Sequence, residues 1–97
     1  MDNRDYIILL YDYYMELFND KQRKYFEYYY FNNLSLGEIS DNIGISRNAV
    51  YKVIKNVEDK LLFYEDKLKL CSKSKMIKEL IKDIDNVKLK SRIEELL

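Results

Sequence analysis

The 97 residues contain no histidine, no tryptophan and no proline, one cysteine and only two glycines. Each scarcity excludes something. Without histidine the chain lacks the side chain that most often serves as general base or metal ligand near neutral pH. A single cysteine, Cys71, can form neither an intrachain disulfide nor a paired-cysteine metal site, and fits a reducing cytoplasm. It reads as a structural thiol at a helix end. With no proline, and glycine confined to Gly37 and Gly44, the residues that punctuate hairpins and tight turns are missing, so helix is the default throughout. Net charge is missing too, because 17 Lys plus Arg balance 17 Asp plus Glu. There is no bulk positive field, and any contact with a polyanion must come from a local patch.

What is present describes one ordered unit. Hydrophobic residues make up 47% and charged residues 35% of the chain, which is enough apolar surface for a core. A second independent core is not expected at this length. Met1, Asp2 and Asn3, followed by Asp5, Asp12 and Glu16, are unlike a basic leader with an uncharged stretch. No signal peptide and no membrane insertion are expected, and the expected location is the cytoplasm.

A first helix is predicted over Arg4 to Phe18, capped by Asn3 or Asp2. Ile7, Leu10, Tyr11, Tyr14 and Phe18 share one stripe, Tyr6, Leu9, Tyr13 and Leu17 the adjoining one, and Asp5, Asp12 and Glu16 a solvent edge. Asn19 or Asp20 can cap a second helix from Lys21 to Phe31, with Gln22 reaching back to the cap. Lys21, Arg23 and Lys24 load its first turn with positive charge against the helix dipole; this hints at an anion nearby, a solvated face being the plainer reading. Aromatic residues from Tyr25 to Phe31 surround this helix, so at least one ring should stay exposed or meet another chain. Asn32 and Asn33 suit a connector that uses left-handed backbone. Ser35-x-x-Glu38 is a capping box for a short third helix that carries Leu36, Ile39 and Ile43 and stops at Gly44.

A fourth helix starts near Ser46 and meets no breaker before about Leu70, with Val50, Val53, Val57, Leu61, Tyr64 and Leu68 as its seam. Such a helix would exceed about 30 Å. Lys67, Lys69, Lys73, Lys75 and Lys78 follow with no acid among them, as a phosphate-contacting patch or, more plainly, a solvated connector. Two short amphipathic helices close the chain, the first with Ile77, Leu80, Ile81 and Ile84, the second with Leu89, Ile93, Leu96 and Leu97, jointed at Asp85 and Asn86.

The segment from Leu36 to Lys55 has the spacing of a helix-turn-helix. Ile39 and Ile43 face Val50 and Val53, Ile45 plugs the corner, and Gly44 supplies the positive φ of the reversal. Ser40 stands where the two helices come closest; it fits by size but brings a hydroxyl. With that packing set, Arg47, Asn48, Tyr51, Lys52 and Lys55 must point outward, and no acid lies between Ile45 and Val57. Arginine can fork onto guanine and asparagine onto adenine, while lysines and a tyrosine hydroxyl suit phosphates. Two readings stand: a major-groove reader, or the same motif used for packing or protein contact.

The stretches LLYDYY, DKQRKYFEYYY, LSLGEISDNIGISRNAVYKVIK and YEDKL resemble the YlxM-type helix-turn-helix proteins of Gram-positive bacteria. The resemblance spans Leu9 to Leu70, roughly two-thirds of the chain, and is far more specific than a generic helix-turn-helix match. It implies a fold similar to region 4 of sigma-70-type factors, and a gene that usually lies beside those for signal recognition particle components. It therefore implies that the protein acts in or regulates that pathway, and carries no catalytic residue. Ser46, Arg47, Ala49, Val50 and Tyr51 match the family's groove-facing pattern; Asn48 stands where glutamine is common and Ser40 where alanine is common.

The expected fold is all-α: a helix-turn-helix core resembling sigma factor region 4, with a long recognition helix and C-terminal helices. The expected organisation is a helix-turn-helix domain over residues 1–70, with its motif at 36–55, and a C-terminal extension over 71–97 that packs on the same core. No enzyme is expected, since there is no phosphate loop, no metal spacing and no nucleophile with an identifiable base. Neither cofactor nor metal is implied. The expected function is DNA-binding regulation, with Ser46, Arg47, Asn48, Tyr51, Lys52 and Lys55 as the nucleic-acid-binding residues. The alternative is an accessory module that binds signal recognition particle RNA or protein. A homodimer is expected from the excess aromatic surface of the first two helices and the long seam past Val57.

Overall fold

The computed structural model describes residues 3–97 and places six α-helices among them, with no strand. Helix α1 is Asn3–Tyr14, α2 Asp20–Tyr30, α3 Leu36–Ile43, α4 Arg47–Leu68, α5 Leu70–Ile81 and α6 Val87–Glu94. Met1 and Asp2, including the Asp2 cap considered above, lie outside the described residues. The molecule measures 55 × 25 × 24 Å.

The stripe read on α1 is the buried one: Ile7, Leu10, Tyr11, Tyr14 and Phe18 are all in the core. The helix ends sooner than its periodicity predicts. A 3-10 turn, Met15–Leu17, tightens its last turn, and extended backbone at Phe18 swings that ring inward while Leu17 is left 55% exposed. Asn19 then caps α2 through a capping box, accepting from the Gln22 N–H at 2.8 Å while its own N–H donates to Gln22 Oε1 at 2.9 Å. Phe26 is fully buried and stacks on Tyr11 at 4.2 Å and on Tyr30 at 4.4 Å between ring centroids. Such ring pairs contribute about 0.5–1.5 kcal/mol beyond the area they bury. Phe31 is the ring the crowded aromatic run leaves exposed.

The tyrosines have a second duty. Three buried tyrosine hydroxyls donate to glutamates on other helices: Tyr11 to Glu27 Oε2 at 2.5 Å, Tyr14 to Glu65 Oε1 at 2.5 Å, and Tyr30 to Glu58. These bonds tie α1 to α2, α1 to α4 and α2 to α4. Burial, and then the neighbouring glutamate, push each hydroxyl's pKa up, to about 12 for Tyr14, so they stay donors across the physiological range. Arg4 adds a further tie, donating to the carbonyls of Tyr29 at 3.2 Å and Tyr30 at 2.7 Å and to Asn33 Oδ1 at 2.9 Å. A cation there answers the negative end of α2.

The seam of α4 needs correction. Val50, Ile54, Val57, Leu61 and Glu65 are its buried residues, whereas Val53 and Tyr64 are half-buried and Leu68 is 46% exposed. Glu65 takes the place that the apolar pattern assigned to its neighbours. Its reason is the next helix. At Lys69 the chain turns through φ +57, and α5 starts with no side-chain cap of its own. The Glu65 carboxylate supplies one, accepting from the N–H groups of Cys71 at 3.1 Å and Ser72 at 3.0 Å as well as from Tyr14, whose oxygen accepts from the Leu70 N–H at 3.0 Å. A negative group at a helix N-terminus also answers the dipole.

The C-terminal helices differ from those predicted. Helix α5 begins at Leu70, so Lys73, Lys75 and Lys78 sit on a helix and not on a connector; it ends at Ile81, which leaves Ile84 in the joint. Helix α6 ends at Glu94, before Leu96 and Leu97, and buries no residue. Cys71 is buried at the start of α5, and burial pushes its thiol pKa up.

Candidate nucleic-acid interface

The turn between α3 and α4 is held at four points. Ser35 accepts from the Glu38 N–H at 3.0 Å and Glu38 Oε1 accepts from the Ser35 N–H at 3.1 Å, which closes the capping box at the start of α3. Gly44 ends that helix at φ +83, a conformation in which a Cβ would collide with its own backbone. The hydroxyl that Ser40 brings to the tight crossing donates to the Ile45 carbonyl across the turn. Ser46 Oγ accepts from the Ala49 N–H at 3.1 Å and caps α4. Beneath these bonds Ile39 and Val50 are fully buried, with Ile43, Ile45 and Val53 half-buried against the same core.

This packing turns one face of α4 outward. Ser46, Arg47, Asn48, Tyr51, Lys52 and Lys55 are all exposed. Two of them are less open than their exposure suggests. Arg47 folds back over α3: a Cβ built on Gly37 would stand 2.9 Å from Arg47 Nη2. Gly37, which the sequence reading passed over, is therefore the residue that lets the guanidinium lie there. Lys55 pairs with Asp59 one turn on, at 3.0 Å, and that hydrogen bond raises its pKa. Asp59 lies just past the acid-free window from which the positive face was read.

Helix α2 adds a cation to this face. Lys21 and Lys52 line one cleft of 280 Å³ with Asn19, Gln22, Val53 and Asn56, and Gln22 Nε2 donates to Asn56 Oδ1 at 3.4 Å across it. The positive charge at the start of α2 was the available signal for Lys21, but only the crossing of α2 on α4 puts it beside Lys52. Arg23 stands near the Tyr11 hydroxyl and opposes the rise in its pKa, and Lys21 and Lys24 lie over the Tyr25 and Tyr28 rings at 5.9 and 5.8 Å. Two lysines a cleft apart, with Asn48 and Tyr51 beside them, suit a phosphate backbone flanking base edges.

The lysines from Lys67 onward belong to another part of the molecule. Between Lys52 and Lys67 lies roughly 22 Å of helix. Lys67 itself is 3.5 Å from Asp66 and lies over the Phe63 ring at 5.8 Å. Among the described residues no group of three or more His, Cys, Asp or Glu is placed to hold a metal ion, and no helix is long and apolar enough to cross a membrane.

Comparison with known proteins meets this geometry at the motif. Residues 1–97 match the family described as "Putative helix-turn-helix protein, YlxM / p13 like". The chain belongs to this family. Among its relatives, a UPF0122 protein of Caldanaerobacter subterraneus subsp. tengcongensis is 49% identical over 83 residues, covering 86% of this chain and 68% of the relative. A UPF0122 protein of Oceanobacillus iheyensis is 44% identical over 89 residues, covering 92% of this chain and 82% of the relative. One of Halalkalibacterium halodurans is 40% identical over 89 residues, covering 91% and 82%. In this member of the UPF0122 family the helix-turn-helix is α3 and α4, with Gly44 and Ser46 at its corner.

Proposed function

We propose that the chain is a DNA-binding regulatory protein of the cytoplasm that lays the N-terminal half of α4 in the major groove and acts as a homodimer, without catalysis of its own. The observation that carries this reading is the outward face of α4, a cationic and amide-bearing surface on a rigid turn, extended by Lys21 across the cleft from Lys52. In it Asn48 and Tyr51 approach base edges, Lys52 and Lys21 hold phosphates, and Ser46 with the start of α4 seats a further phosphate. Arg47 must leave Gly37 to reach a base. Lys55 exchanges Asp59 for a phosphate.

Fluorescence anisotropy of labelled duplex DNA, titrated between about 50 and 200 mM salt, tests the reading. Affinity is expected to fall steeply with salt, and Lys21→Ala with Lys52→Ala to lower the slope of log K against log salt by roughly one per lysine. Binding that ignores salt, or a double variant that binds like the wild type, would sink it.

A second reading has an observation of its own. Lys73, Lys75 and Lys78 are exposed on α5, and among the described residues none lies within 4.0 Å of a carboxylate. An accessory role in the signal recognition particle pathway would use this patch for RNA. Replacing these three lysines by alanine separates the readings, since it should abolish binding to signal recognition particle RNA and leave duplex DNA binding intact.

A further inference from the structure

The apolar surface that the fold leaves uncovered is concentrated beyond Leu61. Among the described residues only Leu17, Phe31 and Tyr51 are exposed large hydrophobic side chains before that point; the rest follow it. Helix α6 is the extreme case. It has eight residues, none of them buried. A helix so short does not persist in water by its own hydrogen bonds, and needs an apolar face covered. Its inner side shares one groove with α5, between Lys90, Glu94 and Leu97 and Lys78, Ile81 and Lys82, and the residues just past it, Leu96 and Leu97, share another with Leu70, Ser74 and Ile77.

The outer side carries a pattern. Leu89 and Ile93 share one stripe of α6, and with Arg92, Glu95 and Leu96, the last on the turn that follows the helix, they line a groove of 470 Å³. Charge along the helix is divided: Lys88 and Lys90 stand in its first half, Arg92 and Glu94 in its last turn, and Glu95 caps it. Laid parallel on a copy of itself, this helix would set like charges against each other. Laid antiparallel about Ile93, it sets Arg92 of each copy beside Glu95 of the other, which is the self-complementarity that a two-fold interface requires. We propose that the outer face of α6 pairs antiparallel with α6 of a second copy of this chain, about an axis through Ile93. Leu89 then meets the second copy's Leu96, Ile93 its counterpart, and Arg92 the second copy's Glu95.

Two helices of this length bury less than the roughly 1,200 Å² of a standard interface, so the association belongs in the micromolar range. The inference rests on the dimeric part of the function proposed above and on nothing about DNA. It also moves the dimer surface. The rings of α1 and α2 and the seam of α4, from which a dimer was expected, are largely consumed within the monomer.

Sedimentation equilibrium of the full chain between about 10 and 500 µM tests the pairing, in the concentration range such an interface demands. The wild type should dimerise. Arg92→Glu and Glu95→Arg should each weaken the dimer roughly tenfold, because each sets two like-charge pairs across the axis. An equimolar mixture of these two variants should regain wild-type association, since a heterodimer restores both opposite-charge pairs, and so should the doubly exchanged chain. Leu89→Ser with Leu96→Ser should leave a monomer whose circular dichroism loses no more helix than the eight residues of α6, the body staying folded. A wild type that is monomeric at 500 µM, a dimer indifferent to the serine pair, or a mixture no stronger than its parts would overturn the proposal. Dimerisation without DNA binding would discard the DNA reading alone, and DNA binding by a wild-type monomer would discard the pairing alone.

Discussion

The body formed by α1 to α4 and the arm formed by α5 and α6 are both built of amphipathic helices and have opposite fates, and every tyrosine and phenylalanine lies in the body. In the body most large apolar side chains pack on another helix, Leu62, Phe63 and Leu68 near the end of α4 being exposed, and tyrosine hydroxyls reach glutamates across the gaps. In the arm Met76, Leu80, Val87 and Leu96 remain open, and Leu96 is 86% exposed. The difference teaches that amphipathicity alone does not bury a helix. The body has α4, whose 22 residues give α1, α2 and α3 a common surface to pack on. The arm has two short helices, fastened to that body at the start of α5 by the Glu65 carboxylate, by the Tyr14 hydroxyl and by the buried Cys71.

The sharpest way to break this contrast is to remove the centre of the body. Phe26→Ala deletes a ring that stacks on both Tyr11 and Tyr30, and should cost about 3–5 kcal/mol in chemical denaturation, enough to threaten the fold of the whole chain. Next comes the fastening. Glu65→Ala leaves the Tyr14 hydroxyl and two amide donors unsatisfied, and should cost about 3 kcal/mol while freeing α5 in preference to the body. Faster reaction of the buried Cys71 with a thiol reagent, at unchanged α1 to α4 amide protection, would register that selectivity.

The same carboxylate gives the arm a pH dependence. Burial alone would raise the Glu65 pKa, but the hydrogen bonds from Tyr14, Cys71 and Ser72 outweigh it and hold it below the ordinary carboxylate range. A depressed pKa means that the bond's contribution is complete above the unfolded value of about 4.3 and is lost as pH falls through the folded value. Acid titration followed by Cys71 reactivity should therefore release α5 only below the ordinary carboxylate range, and Glu65→Gln should flatten that transition.

Two smaller effects sharpen the comparison from each side. Gly44→Ala forces a Cβ into φ +83 at the corner of the motif and should cost about 1–2 kcal/mol in thermal unfolding, although nothing lies within 4 Å of the added atom. Leu80→Ser, on the arm, removes a side chain 75% exposed and should move stability by no more than about 0.5 kcal/mol. A larger loss there would mean that the arm is covered by something within the same chain.

Most of the body was legible before any coordinates. The stripe Ile7, Leu10, Tyr11, Tyr14 and Phe18, the capping boxes at Asn19 and Ser35, the left-handed Asn33 and Gly44, and the Ser46 cap are local features, and local rules found them. The six outward residues of the motif were legible as positions on a helix. Their companions were not. Gly37 under Arg47, Asp59 on Lys55 and Lys21 beside Lys52 depend on rotamers and on how α2 crosses α4, which spacing does not encode. Glu65 was missed for a different reason. It sits four residues after Leu61 on the buried stripe, but a carboxylate there reads as a fault in an apolar pattern until its three donors are brought together.

By itself the sequence determined an all-helical chain with a helix-turn-helix at residues 36–55, because helix periodicity, caps and a positive-φ glycine act over a few residues and admit few alternatives. Only the tertiary structure decided which tyrosines became bonds and rings of the core, which carboxylate fastened the arm, and which apolar stripe was left for another molecule. Those outcomes turn on distances between segments far apart in the chain. A pattern of side chains states what each helix needs; the packing decides which need is met inside.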